Sequence, residues 1–243
     1  MHGLGEHSGR YGHVSEAFGQ AGYVTLAYDQ RGHGKTPGQR GYGPSFEAFM
    51  DDIARLLEEA ALQYPTRPCF LYGHSLGGNF VINFVLRRKP QLAGVIATAP
   101  ALKPAFDPPV LKVAVGKIMA VLWPAFSMPN GLDLQGLSRD PEVIRLYTSD
   151  PLVHDRISAR LGIDLLRTGK WALDHAAEFP LPLLLLHGSA DRLTSVQASR
   201  EFALKAGEYC TLKIWEGFYH EVHNEPEKKQ VLTCIIEWMN ARS

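Results

Sequence analysis

CFLYGHSLGGNFVINFVLRR, residues 69–88, is the stretch from which the rest of the chain can be read. The apolar run CFLY (69–72) leads into Gly73-His74-Ser75-Leu76-Gly77, and the helical pattern NFVINFVLRR follows, which reads as amphipathic. Strand, glycine-flanked turn and helix together form the setting that raises a serine above the end of a sheet as a nucleophile. The glycines suit such a turn because its tight, strained backbone leaves no room for neighbouring Cβ atoms. A helix beginning just after Ser75 would also aim free N-terminal amides at negative charge developing near the hydroxyl.

Outward from this stretch, short apolar runs alternate with helical patterns. YVTLAY (23–28), CFLY (69–72), GVIATA (94–99), PLLLLH (182–187) and TLKIW (211–215) are predicted strands. Their unbroken aliphatic character suits strands covered on both faces. Helices are predicted near 11–21, 45–63, 76–88, 195–206 and 225–241, with Ser45 as an N-cap and Pro65 marking a helix end. Repetition of strand and helix predicts an α/β fold, a mostly parallel sheet with helices on both faces and right-handed crossovers. Residues 101–178 break the rhythm: they hold much Pro and Leu, several helical patterns and no convincing strand. On a helical wheel Val110, Leu111, Ala114, Val115, Ile118, Met119, Val121 and Leu122 form one apolar arc. The segment reads as a helical cap (101–178) inserted between two parts of the core (1–100 and 179–243), or more plainly as a further core helix.

A serine hydroxyl is a weak nucleophile and needs a base with a group to orient it. In a sheet of this kind the order along the chain is Ser, acid, His, each just past a strand. Asp191 follows LLLLHGSA and His220 follows TLKIWEGFY, so Ser75, Asp191 and His220 are the candidate triad. His223 is the other candidate base, and His220 is preferred because it stands nearer the strand end. HEVHNE does not have the H-E-x-x-H spacing of a zinc site, and no cysteine cluster adds ligands, so no metal is assigned. His74, inside the turn, reads as a pocket-wall residue. Two backbone N–H donors are needed for an oxyanion. Leu76 would supply one, and Leu4, in the His2-Gly3-Leu4-Gly5 loop, the other.

Composition narrows the class. Lys+Arg and Asp+Glu are 25 each, so no net field favours nucleic acid. Three cysteines, each in an apolar stretch, suggest free buried thiols in a reducing, cytoplasmic compartment. Residues 1–20 do not have the pattern of a secretory leader. The longest apolar stretch, 108–126, carries Lys112 and Lys117 and is too short to span a bilayer comfortably.

HGLGEHSGRY (2–11), AYDQRGHGKTPGQRG (27–41), LYGHSLGG (71–78), SDPL (149–152), LLHGSADRL (185–193) and IWEGFYHEVHNE (214–225) occur in this order. In these motifs, and over essentially its whole length, the chain resembles the monoacylglycerol lipases and related lysophospholipases, serine hydrolases of the α/β-hydrolase superfamily. The resemblance implies Ser75 as nucleophile, Asp191 as acid, His220 as base, and Leu4 and Leu76 as oxyanion donors. It implies that Glu6, Arg10 and Tyr147 line or support the glycerol end of the site. The cap helix would form the acyl channel and touch lipid aggregates reversibly, and no cofactor is called for. The departure is at the start. In the family several strands precede the HG loop, the last leading straight into it, whereas here only Met1 does; such a gap leaves neighbouring strand edges unpaired. Hydrolysis of monoacylglycerol esters is the activity expected. A lysophospholipase or general carboxylesterase is the alternative among enzymes, and an inactive lipid-binding homologue the alternative outside them. An aminopeptidase is disfavoured because the sequence places no acidic cluster to hold an amine.

Overall fold

Leu183, Leu184, Leu185 and Leu186 show how the sheet is covered. Leu183 and Leu185 enter one hydrophobic core and Leu184 and Leu186 the other. Successive strand residues point to opposite faces, so a strand buried on both needs an unbroken apolar run. The structure, a computed structural model, describes residues 1–243. In chain order its first elements are α1 (Gly12–Gln20), α2 (Phe46–Gln63), β1 (Phe70–His74), α3 (Leu76–Arg88) and β2 (Gly94–Thr98). Then come α4 (Val110–Leu122), β3 (Ser127–Pro129), α5 (Pro141–Ser149), β4 (Arg156–Ser158) and α6 (Ala159–Asp174). The chain closes with β5 (Leu183–Gly188), α7 (Val196–Ala206), β6 (Cys210–Trp215) and α8 (Lys228–Asn240). β1, β2, β5 and β6 form a parallel sheet in that spatial order, with Gly73 beside Ala97 and Thr98 beside Leu186.

One core lies between the sheet and α2, α3, α6 and α7, built on Phe49, Ile53, Phe80, Ile82, Leu161 and Phe202. The other lies against α1 and α8, through Val14, Phe18, Val231, Ile235 and Trp238. Ser45 caps α2, its hydroxyl accepting from the Ala48 N–H at 3.2 Å. The helix after the serine turn is not amphipathic in the structure, for every residue of α3 from Leu76 to Leu86 is buried. Its apparent polar stripe, Asn79 and Asn83, faces protein. Asn79 donates to the Ala101 carbonyl at 2.9 Å and accepts from the Thr168 hydroxyl at 3.0 Å. Asn83 donates to the Thr168 carbonyl at 3.2 Å. Paired in this way, buried amides are tolerated where unpaired ones would cost about 1–3 kcal/mol each.

Two further readings of the sequence need correction. YVTLAY (23–28) is not a strand: it has no ladder partner, and Val24 is 64% exposed. β1 is the edge of the sheet, and beside it only Met1 makes strand-like bonds. Its amino group donates to the Tyr72 carbonyl at 2.5 Å, and its carbonyl accepts from the His74 N–H at 3.0 Å. A β-forming sequence without a neighbour to exchange hydrogen bonds with stays irregular. Second, the stretch between β2 and β5 does contain strands. β3 and β4 form a short antiparallel ribbon, pairing Met128 with Ile157. Three residues per strand are too few for a period-2 pattern to show.

Ribbon and loop are stitched together. The His154 N–H donates to the Gly5 carbonyl at 2.8 Å, and the Ser158 N–H to the Gly41 carbonyl at 2.9 Å. α4 packs on α6, where a Cβ on Gly116 would lie 3.2 Å from Ile163 Cδ1. Its outer face bares Val110, Leu111, Ile118, Val121 and Leu122. No helix is long and apolar enough to cross a membrane. The three cysteines are free and half-buried rather than fully enclosed.

Phe80→Ala should lower stability by about 3–5 kcal/mol in urea denaturation, because it opens a cavity between α2, α3 and the sheet. Leu62→Ala, on the exposed end of α2, should stay within about 0.5 kcal/mol.

Candidate active site

Ser75 sits between β1 and α3 at φ 52°, ψ −113°. A non-glycine residue at positive φ costs of order 1–3 kcal/mol and needs support from its surroundings. The support is dense. The Ser75 N–H donates to the Thr98 carbonyl at 2.9 Å, and its own carbonyl accepts from Asn79 and Ala101. The flanking glycines are there for space: a Cβ on Gly73 would lie 2.3 Å from the Gly77 carbonyl oxygen. One on Gly77 would lie 2.5 Å from the Met1 oxygen and 2.6 Å from that of His2.

Asp191 lies just past β5 and His220 just past β6, both buried. His220 Nδ1 is 2.7 Å from Asp191 Oδ2. That same oxygen accepts from the Thr194 hydroxyl at 2.8 Å and meets His187 Nε2 at 3.0 Å. Oδ1 accepts the N–H groups of Leu193 and Thr194 at 2.7 and 3.1 Å. Burial works against the carboxylate, but the two histidines and these donors hold its pKa well below the ordinary range. Burial likewise lowers the pKa of His220, yet the Asp191 carboxylate outweighs it and raises that pKa above the ordinary imidazole value.

Ser75 and His220 line one pocket of about 230 Å³, open solvent included. An imidazole held at Nδ1 by a carboxylate keeps Nε2 free to take a proton from a hydroxyl across such a pocket. His223 stands elsewhere. It is fully buried, stacked on Tyr11 with ring centroids 5.0 Å apart, and burial pushes its pKa down to about 3. His74 is also in the pocket wall, its ring 4.7 Å from that of His220 and its Nδ1 on Thr98.

Leu4 reaches the pocket from the loop docked on the Ser75 turn, where the Gly77 N–H donates to the His2 carbonyl at 3.1 Å. The Leu4 N–H has no partner within the chain. Leu76 opens α3, where the first N–H groups of a helix lack intrahelical acceptors. Beneath the loop, Glu6 accepts from the Gly3 N–H at 2.5 Å, the Tyr11 hydroxyl at 2.7 Å and Arg10. Arg10 also forks onto Glu221 at 2.7 and 2.8 Å and lies over the Tyr147 ring at 4.7 Å. Glu6, Glu221 and Tyr147 border the pocket, and Arg10 stands behind them. Burial alone would raise the pKa of Glu221, but Arg10 draws it down to about 2. A depressed carboxylate stabilises the fold above its unfolded pKa, so this contribution fades as pH falls toward 2. Neither Glu221 nor His187 stands out in the sequence. Glu221 is hidden beside a histidine, and His187, though inside LLHGSADRL, lies in an apolar strand with nothing local to mark its partners.

A family model described as serine aminopeptidase, S33, matches residues 1–227. The chain belongs to this family of α/β-hydrolases. Among members of known name, the monoacylglycerol lipase of Mycolicibacterium smegmatis is 40% identical over 242 residues, covering 98% of this chain and 85% of that protein. An abhydrolase domain-containing protein of Dictyostelium discoideum is 39% identical over the whole chain, which spans 26% of its length. The crystal structure of Paleococcus ferrophilus monoacylglycerol lipase superposes with a TM-score of 0.93 at 39% identity, covering 100% of this chain and 93% of that one.

In this S33-family hydrolase Arg10 is the one cation between two buried carboxylates. Arg10→Ala should therefore destabilise it by about 3–5 kcal/mol. The loss should shrink when Glu221→Gln is added, as a double-mutant cycle by urea denaturation would measure.

Proposed function

We propose that the chain hydrolyses the ester bond of monoacylglycerols to fatty acid and glycerol through an acyl-enzyme. The observation that carries this reading is Ser75 on its strained turn, sharing a pocket with a His220 already bonded to Asp191. Relatives at 39–40% identity that bear the name monoacylglycerol lipase supply the substrate class. His220 takes the Ser75 proton as Oγ attacks the ester carbonyl. The oxyanion is received by the Leu4 and Leu76 N–H groups. Collapse breaks the ester C–O bond, and glycerol leaves with the proton from His220. Water, deprotonated by the same imidazole, then attacks the acyl-enzyme, releasing the fatty acid and restoring Ser75.

The polar end of the pocket favours an uncharged polyol over a phosphorylated head group. Its acidic walls are Glu6 and Glu221, and the one guanidinium nearby is consumed by them. A phosphate there would face two carboxylates with no free cation to receive it. Nor do these carboxylates offer an open seat to a substrate amine. Glu6 already takes Gly3, Tyr11 and Arg10, and Glu221 takes Arg10 and Asn224. Tyr147, its hydroxyl close to Gly5, completes the head-group end, while Leu4, Leu132, Leu137 and Leu193 make the apolar wall.

The bare apolar face of α4 supports a reversible, peripheral contact with the lipid surface that holds the substrate. Three free thiols suit a reducing compartment, and we place the chain in the cytoplasm.

Fluorophosphonate labelling and a burst of p-nitrophenol from an activated ester should both be seen in the wild type and vanish in Ser75→Ala. A burst retained by the variant would remove Ser75 from its role. Monoacylglycerol should be cleaved with higher kcat/KM than the matching lysophosphatidylcholine; the reverse order would overturn the head-group assignment. Leu111→Glu combined with Leu122→Glu should cut co-sedimentation with phosphatidylcholine vesicles by about tenfold or more, since each buried leucine is worth about 1.5–3 kcal/mol.

A further inference from the structure

A second histidine stands on the far side of the same carboxylate. His187, in β5, is fully buried, and its Nε2 lies 3.0 Å from Asp191 Oδ2, the oxygen that also receives His220 Nδ1. Its other ring nitrogen, Nδ1, lies 2.7 Å from the hydroxyl of Ser199, a fully buried residue of α7. The proton positions follow from the partners. The Ser199 hydroxyl has no other hydrogen-bond partner, so it donates to Nδ1. Nδ1 therefore presents a lone pair, and Nε2 carries the proton and donates it to Asp191. The chain of bonds runs Ser199, His187, Asp191, His220, and opens onto the pocket that Ser75 shares. Each histidine touches the acid with one nitrogen; the other nitrogen of His187 meets Ser199, and His220 shares its pocket with Ser75.

We propose that His187 is a positioning residue for the hydrolytic reaction, fixing Asp191 Oδ2 and sharing its charge so that His220 is less basic than it would otherwise be. A buried donor on a carboxylate draws off part of the charge that the imidazolium would feel. Without it Asp191 pulls harder on the proton of His220 while being less well fixed in place. The other groups facing His220 are His74 at the end of β1, Glu221 next in the chain, Glu6 and Arg10 beneath the HG loop, and His223 behind His74. None of them touches His187, whose own polar neighbours are Asp191, Thr194 and Ser199. A change at His187 therefore reaches His220 through Asp191 and through the Thr194 hydroxyl, which lies 3.3 Å from His187 Nε2 and from His220 Nδ1.

The role rests on the hydrolase reading, and the test separates the two. The measurement is kcat/KM against pH with a soluble p-nitrophenyl ester, beside a thermal melt and fluorophosphonate labelling. In the wild type the acid limb reports the loss of the His220 proton, because only the neutral ring can act as base. His187→Phe should move that limb up by about half a pH unit or more. It should also lower the plateau by about 10–100-fold. His187→Gln, which offers an amide N–H at similar reach, should restore both to within about threefold. Ser199→Ala is the milder variant to use if the phenylalanine protein does not fold. With the donor to Nδ1 gone the ring can take the other tautomer, so the limb should move the same way by less. An unmoved limb in a folded His187→Phe or in Ser199→Ala overturns the proposal, as does a glutamine variant no better than phenylalanine. A wild type that neither labels nor turns over overturns the hydrolase reading itself. A labelled, active wild type with unmoved limbs overturns only the role of His187.

Discussion

Two carbonyl oxygens, those of Met1 and His2, fill the space that a Cβ on Gly77 would need, and the candidate site depends on that closeness. It lets the HG loop lie directly on the serine turn, with the Gly77 N–H donating to His2. The same closeness repeats within the turn, where Gly73 meets the Gly77 carbonyl. Any side chain at either glycine would push loop and turn apart, and Leu4 and Leu76 would no longer front one pocket. The strain at Ser75, of order 1–3 kcal/mol, is small beside the burial of α3. Leu76, Phe80 and Ile82 follow the turn directly and are fully enclosed. The helix anchors the turn it grows from.

Much of the fold was legible because a parallel sheet covered on both faces leaves a blunt signature. Four consecutive leucines could serve both cores only as a doubly buried strand. Legibility failed where structure depended on a neighbour rather than on the residues themselves. Tyr23–Tyr28 has β-forming composition but no ladder partner, so it stays irregular. Asn79 and Asn83 look like a wet helix face, yet Thr168 and Ala101 absorb them, and nothing local announces those partners. The ribbon of β3 and β4 pairs residues about thirty positions apart through strands too short to show a period.

The site divides in the same way. Ser75, Asp191 and His220 stand where the chain leaves β1, β5 and β6, and strand ends can be counted from sequence. The polar scaffold behind them cannot. Arg10 and Glu221 are 211 residues apart, and His187 finds Ser199 only because α7 packs back on β5. Such partners are chosen by packing, and each alone is an ordinary polar residue. Arg10 also ties the HG loop to the loop that carries His220, so the two sides of the pocket are braced by one guanidinium.

The bond from His154 to the Gly5 carbonyl gives the insertion a mechanical role. Gly5 immediately follows Leu4, and its φ of 80° leaves no space for a side chain against the His154 carbonyl. Ser158 is tied to Gly41 in the same way, so the returning arm of the ribbon is clamped at two points, one on the HG loop and one on the loop that precedes α2. α4, by contrast, packs on α6 with Ala120 buried and Val113 and Met119 half-buried, and shows Val110, Leu111, Ile118, Val121 and Leu122 outward. The segment between β2 and β5 thus has a foot bonded to the HG loop and a crest held by side-chain packing on α6. Any displacement of the foot would therefore be felt by the backbone next to the Leu4 amide, whereas α4 reaches that loop only by way of α6 and the ribbon.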